Sequence, residues 1–157
     1  MTLDRSRSTV GFSIRHMGVA TVRGSFSSFA ARVEPGPDGL QVRAEVDPTS
    51  VETGNGIRDG RLRSEFFAAD DYPAITFEGL GELDSQVEGR LTIRGATRPV
   101  SLSVRAETLT PDTLRIRAVG RIRRSDFGLD WDALRDAGRL LVADHVRVFA
   151  DVVIQRG

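Results

Sequence analysis

The sequence contains no cysteine. Disulfides, thiolate nucleophiles and cysteine metal sites are therefore excluded. It also contains no lysine, and all 22 basic residues are arginine. Schiff-base chemistry on lysine and a P-loop lysine are excluded with it. Histidine occurs twice, as His16 and His145, with no spaced cluster of partners, so no metal centre is expected. Aromatic residues make up 6% of the chain, with one tryptophan and one tyrosine. No apolar run reaches the length of a membrane-spanning helix. The N-terminus, "MTLDRSRSTVGFSIRH", lacks the 7–15-residue apolar stretch of a secretory signal. A chain that starts at this methionine is expected in the cytoplasm, or in the periplasm or medium if a signal has been removed. No Gly-x-Ser-x-Gly elbow, His-Glu-x-x-His or dinucleotide glycine fingerprint occurs, and no cofactor is expected. Excess charge is absent as well. Arginines number 22 and acidic residues 22, so net charge exerts no bulk pull toward nucleic acid or an anionic membrane.

What is present is a soluble globular composition, 39% hydrophobic and 28% charged over 157 residues. That length fits one domain, 1–157, able to bury roughly two-thirds of its unfolded surface. Period-two alternation dominates, the signature of half-buried strands. It runs through 8–16, 19–33, 40–46, 75–83, 87–93, 99–106, 113–124 and 145–155. Around "SFSSF" the apolar phase shifts from Phe26 to Phe29, which predicts a bulge or bend. Most runs are joined by short turns, so neighbours should be antiparallel. Eight such strands have a natural closed solution in an all-β, up-and-down barrel without free edges. At that size the interior is either packed or wide enough for one small ligand. Gly24, Gly79, Gly81, Gly89 and Gly120 fall on the apolar phase. They imply either sharp curvature or space left for a ligand.

Two segments interrupt the alternation. Residues 48–74 are longer than an ordinary hairpin loop. Leu62 and Phe66 stand i,i+4, as do Asp59 and Arg63, which predicts a short helix over about 57–65 with an ion pair on it. The second segment, "SDFGLDWDALRDAGRL", predicts a helical turn near 131–136 ended by Gly138.

Four blocks resemble one family. They are "STVGFSIRHMGVATVRGSFSSF", "SVETGNGIRDGRLRSEFFAADDYPAITFEG", "GRLTIRGATRPVSLSV" and "RSDFGLDW". Together they identify the chain as similar to the YceI-like family of lipocalin-like, polyisoprenoid-binding proteins. The resemblance implies an eight-stranded antiparallel barrel whose apolar pore takes a long apolar chain. It implies a polyisoprenoid or fatty-acid derivative as partner and often a homodimer, with export to the periplasm in many members. Members commonly carry histidine where this chain has Arg61.

The candidate ligand-binding residues follow from the apolar phase and this resemblance. On the strands they are Phe12, Ile14, His16, Val22, Phe26, Phe29, Phe77, Leu91, Leu102, Ile116 and Val148. On the connections they are Arg58, Leu62, Phe66, Phe67 and Trp131. His16 reads either as a structural histidine at the barrel mouth or as a headgroup contact. Arg58 and Asp59 read as a helix-end ion pair, or Arg58 and Arg61 as anion binders, since the planar guanidinium suits phosphate and carboxylate. Asp126 reads as a structural aspartate that holds a turn or pairs with an arginine. The arginines of 113–124 read as a solvated outer face, so no nucleic-acid partner and no stable membrane insertion are expected. Three functions stay open: an amphiphile-binding protein, an enzyme using His16, Asp59 and Asp126 as acid-base groups, and a filled interaction module.

Overall fold

The structure, a computed structural model, describes residues 1–16, 20–129 and 142–156, with the backbone only at His16 and Val142. The period-two runs become ten strands. These are β1 (Thr2–His16), β2 (Ala20–Phe26), β3 (Phe29–Gly36), β4 (Gly39–Val46) and β5 (Val51–Glu52). There follow β6 (Ile75–Gly81), β7 (Gln86–Ile93), β8 (Ala96–Thr110), β9 (Thr113–Arg123) and β10 (Val142–Gln155). All pair antiparallel in one curled sheet, ordered β3-β4-β6-β7-β8-β9-β10-β1-β2-β5.

The count of ten corrects the expected eight, and both additions come from one place. The expected strand 19–33 breaks at Ser27–Ser28, so that β2 pairs with β1 while β3 pairs with β4. Backbone groups freed by the break are taken up by residues 47–50. Asp47 N donates to Ser28 O at 3.0 Å, and Ser27 N donates to Ser50 O at 3.2 Å. Asp47 also caps the tight turn Pro48–Ser50 through Thr49 N. Directly after this turn, β5 adds two residues to the end of β2. The ladder therefore begins at β3 and ends at β5, and the chain itself joins its two arms at the Ser27–Ser28 bend. The sheet is barrel-like, but its seam is a bend rather than a closed ladder of hydrogen bonds.

The first strand starts earlier than expected because the segment after Asp4 loops out without ending the pairing. The register jumps between Asp4 and Thr9. Asp4 gathers the loop, accepting from Ser6 N, Ser6 Oγ and Arg7 Nε at 3.2, 2.7 and 3.0 Å. Those hydrogen bonds, Ser6 first, hold its carboxyl below the usual carboxylate range.

The inner face carries one continuous apolar core from Phe12 and Ile14 through Phe77 and Val104 to Ile154. Glycines on this face mark close approach. A Cβ on Gly24 would lie 2.4 Å from the Phe12 ring, and one on Gly89 would lie 2.4 Å from the Phe77 ring. The phenylalanines lie across the glycines, so these positions admit rings to the sheet surface. The space is taken by the protein's own side chains, an outcome distinct from both curvature and ligand space.

On the outer face, Arg115 grips Asp151 with both arms, Nε to Oδ1 at 2.8 Å and Nη2 to Oδ2 at 2.6 Å. Arg117 adds a contact at 3.5 Å. The Arg115 hydrogen bond is the main cause that lowers the Asp151 pKa. A depressed carboxylate pKa stabilises above the unfolded-state value and loses that contribution as pH falls through the folded value. Asp151→Asn should therefore cost about 1 kcal/mol or less at neutral pH, given the partial exposure of the pair. In urea titrations the deficit should shrink as pH falls below about 3.9, the ordinary aspartate value, toward the lowered folded value.

Candidate functional site

The 48–74 connection folds over one end of the curled sheet. Asn55 starts its helix by accepting from Ile57 N and Arg58 N, both at 3.1 Å. Helix α1 (Gly56–Arg61) then widens into a π-helical turn, Leu62–Phe66, closed by Phe67 N donating to Leu62 O at 2.8 Å. The helix predicted over 57–65 is present, with this wider last turn. Adjacent residues on a regular α-helix point about 100° apart, so one helix face cannot bury both. Here the helix stops at Phe67 and Ala68 takes a left-handed conformation (φ 46°). Phe66 and Phe67 are both buried, as is Leu62.

Phe67 of this pair meets two phenylalanines on the sheet. Phe67 lies 6.4 Å from Phe12 and 5.8 Å from Phe26 between ring centroids, and 5.0 Å from Phe66. Phe12 and Phe26 are 5.8 Å apart. Edge contacts dominate, as ring quadrupoles favour.

The polar side of the lid is organised by Thr53. Asp59 is buried and accepts from Thr53 N at 3.0 Å and from its hydroxyl. Arg58 donates to Thr53 Oγ1 at 2.8 Å and to Thr53 O at 2.9 Å. The expected ion pairs of Asp59 with Arg58 and Arg63 are thereby corrected, because a nearby threonine satisfies both side chains with less loss of solvation. Asp126 is likewise not the residue that holds its turn. It is exposed, and Asp144 holds the turn Arg124–Phe127 by accepting from Ser125 N and Oγ at 3.0 and 2.9 Å. Ser125 thereby lowers the Asp144 pKa.

Beneath the lid the sheet forms a partly open cavity of about 210 Å³. Its wall includes Phe12, Ile14, Phe26, Phe29, Phe66, Phe67, Phe77, Leu91, Leu102, Ile116 and Val148 from the expected set. Val22 faces Ile14 across the β1–β2 ladder but stays outside the wall, and Leu62 is buried under the lid. Arg58 turns to Thr53 instead of the cavity. The side chains of His16 and Trp131, with the turn near 131–136, lie outside the described residues. Ala44, Ala118, Ala150, Val10 and Val104 were missed as wall residues. They share the inner phase, yet attention to large side chains passes over the small ones that leave the space. Leu91, Leu102 and Val148 point inward from paired strands yet are only half-buried, as expected beside a void. Among the described wall residues Thr76 alone has a polar side chain, so the wall offers no acid or base. Such a wall can hold apolar matter and repels water.

A sequence model described as the YceI-like domain matches residues 1–154. The chain belongs to the YceI-like family. Among related sequences, a UPF0312 protein of Staphylococcus aureus (strain bovine RF122 / ET3-1) is 30% identical, covering 93% of this chain and 91% of its own. Among solved structures, BcnA of Burkholderia cenocepacia superposes with a TM-score of 0.84 at 23% identity, covering 98% of this chain and 99% of its own. A polyisoprenoid binding domain from Saccharophagus degradans, implicated in plant cell wall breakdown, gives 0.82 at 17% identity, covering 99% and 97%. At these identities the two structures establish the YceI-like fold and nothing more.

If the four-ring cluster holds the lid down, Phe67→Ala should lower stability by about 3–5 kcal/mol in urea unfolding. A loss under about 1 kcal/mol would mean that the lid rests on other contacts.

Proposed function

We propose that this protein binds one amphiphilic molecule, with its apolar chain in the cavity and its polar head outside. The observation that carries this reading is the apolar wall around about 210 Å³ of unfilled space. The Saccharophagus degradans domain, described as polyisoprenoid binding, supports an isoprenoid or fatty-acid derivative as the ligand class. Transport, storage or sequestration of that molecule would be the role.

Burial alone supplies the affinity. Each CH₂ taken from water contributes about 0.8 kcal/mol, so chain length governs binding more than the head does. The cavity also bounds the cargo. A cavity of about 150 Å³ accepts benzene, so this one accommodates roughly eight carbon atoms as it stands. A longer chain needs Phe67 to swing off Phe12 and Phe26, carrying Phe66 with it. Ala44, Ala118 and Ala150 keep the interior open, and a large side chain at any of them would fill it.

Native mass spectrometry of the freshly expressed protein should show a co-purifying hydrophobic molecule that organic solvent releases. The emptied protein should take up a fluorescent fatty acid. Ala118→Phe should reduce that uptake at least about tenfold with the fold retained, since the displaced volume equals several buried CH₂ groups. A clean apo mass together with no uptake by the unaltered protein would sink the proposal.

A further inference from the structure

The zero net charge conceals an uneven outer surface. Strands β9, β10, β1 and β2 lie side by side, and their outward residues form rows across the sheet. One row runs Arg121, Arg147, Ser13, Arg23. The next begins Arg123, His145 on β9 and β10 and ends Arg15, Thr21 on β1 and β2. All five arginines and His145 are exposed, the first row holds no carboxylate, and beside the second row Asp144 interacts with Arg123. The nearest acids have hydrogen-bond partners elsewhere. Asp151, two rows further along, is gripped by Arg115, and Asp144 accepts from Ser125.

The opposite arm of the sheet is built differently. There Arg43 faces Glu78, which faces Arg90, and Glu45 and Glu88 stand in the rows beside them. Arg32 also faces Arg43 there, but the carboxylate of Glu78 stands between Arg43 and Arg90, whereas Arg121 and Arg147 stand directly opposite each other. Like charges so placed repel, and the sheet keeps Arg121 and Arg147 with no carboxylate on their row.

We propose that the β9–β10–β1–β2 face docks the protein on an anionic lipid bilayer, with these arginines against headgroup phosphates. A guanidinium fork matches phosphate geometry and gives up its hydration readily. The face is an exposed sheet about four strands, or roughly 15 Å, wide. Among the described residues it has no exposed aromatic platform of the kind a single-stranded polynucleotide would need, since Phe149 is half-buried beneath Arg147. The choice of a bilayer over another polyanion rests on the amphiphile-binding reading, since a bilayer is where such a cargo resides. The charged face itself does not rest on it.

The test is flotation of the full chain with vesicles of phosphatidylcholine and phosphatidylglycerol in about a two-to-one ratio, against phosphatidylcholine alone. The protein should rise with the anionic vesicles only and be released near 1 M salt, where the Debye length is about 3 Å. Each arginine removed should lower the vesicle partition about fivefold, so Arg121→Gln with Arg147→Gln should lower it about 25-fold. Fatty-acid uptake by that variant should be unchanged, and Arg43→Gln with Arg90→Gln should leave vesicle binding intact. Should the first pair perturb the urea midpoint, Arg23→Gln with Arg123→Gln gives the same readout from residues that do not oppose each other. Equal partition into both vesicles, no binding to either, unchanged binding by the variants, or preference for duplex DNA over the anionic vesicles would overturn the proposal. Anionic-vesicle binding without fatty-acid uptake would refute the amphiphile reading and leave the docking face standing. Uptake without vesicle binding would do the reverse.

Discussion

Phe67 on the lid, with Phe66 against it, presses on two phenylalanines of the sheet, and the candidate site depends on that contact. Phe66 and Phe67 belong to a helix with a widened last turn, and Phe12 and Phe26 to paired strands. Their rings lie 5.0 to 6.4 Å apart by centroid, mostly edge to face. Aromatic contacts of this kind are worth about 0.5–1.5 kcal/mol each beyond their buried area. The cluster fastens a connection that would otherwise be a free loop. It also fills one end of the sheet interior and leaves the rest to smaller residues. Phe12 reaches its place only because Gly24 opposite has no Cβ. Packing of the lid thus rests on a glycine in the sheet.

The polar network of the lid complements this arrangement. Thr53 receives Arg58 and donates to Asp59, so the only buried carboxylate among the described residues has its partners close in sequence. No charge is left facing the cavity, and its wall stays apolar. Alanines at 44, 118 and 150 then matter as much as the large residues, because they set the volume. The same alternation that hides apolar side chains inside puts arginines outside. On one arm of the sheet acids stand among them, and on the other the row of Arg121, Arg147 and Arg23 has none.

Much of the architecture was legible from period two. Each of the eight alternating runs has a strand at its place, because burying one face of an antiparallel sheet demands that pattern. The phase shift at "SFSSF" marked the bend at Ser27–Ser28, although splitting one strand into two depends on hydrogen bonds from 47–50, which lie far along the chain. The inward turn of Leu62, Phe66 and Phe67 was legible from their apolar character in a charged segment. The partners of Asp59 and the turn-holding role of Asp144 were not. Side-chain hydrogen bonds are chosen by three-dimensional proximity, and spacing favoured Arg63 and Asp126 instead. Family membership came from the four sequence blocks and agrees with the matched domain over residues 1–154. Whether the interior is hollow could not be read from alternation, since a packed core has the same pattern. It follows from alanines at particular inner positions.

The central claim is that apolar burial in a cavity of fixed size governs binding. Calorimetric titration with straight-chain carboxylates of increasing length tests it most directly. The account predicts that Kd falls about fourfold per added CH₂, up to roughly eight carbons. Beyond that length the gain per carbon should shrink, because Phe66 and Phe67 must then be displaced. An affinity that is flat with chain length, or that follows the headgroup alone, would contradict it.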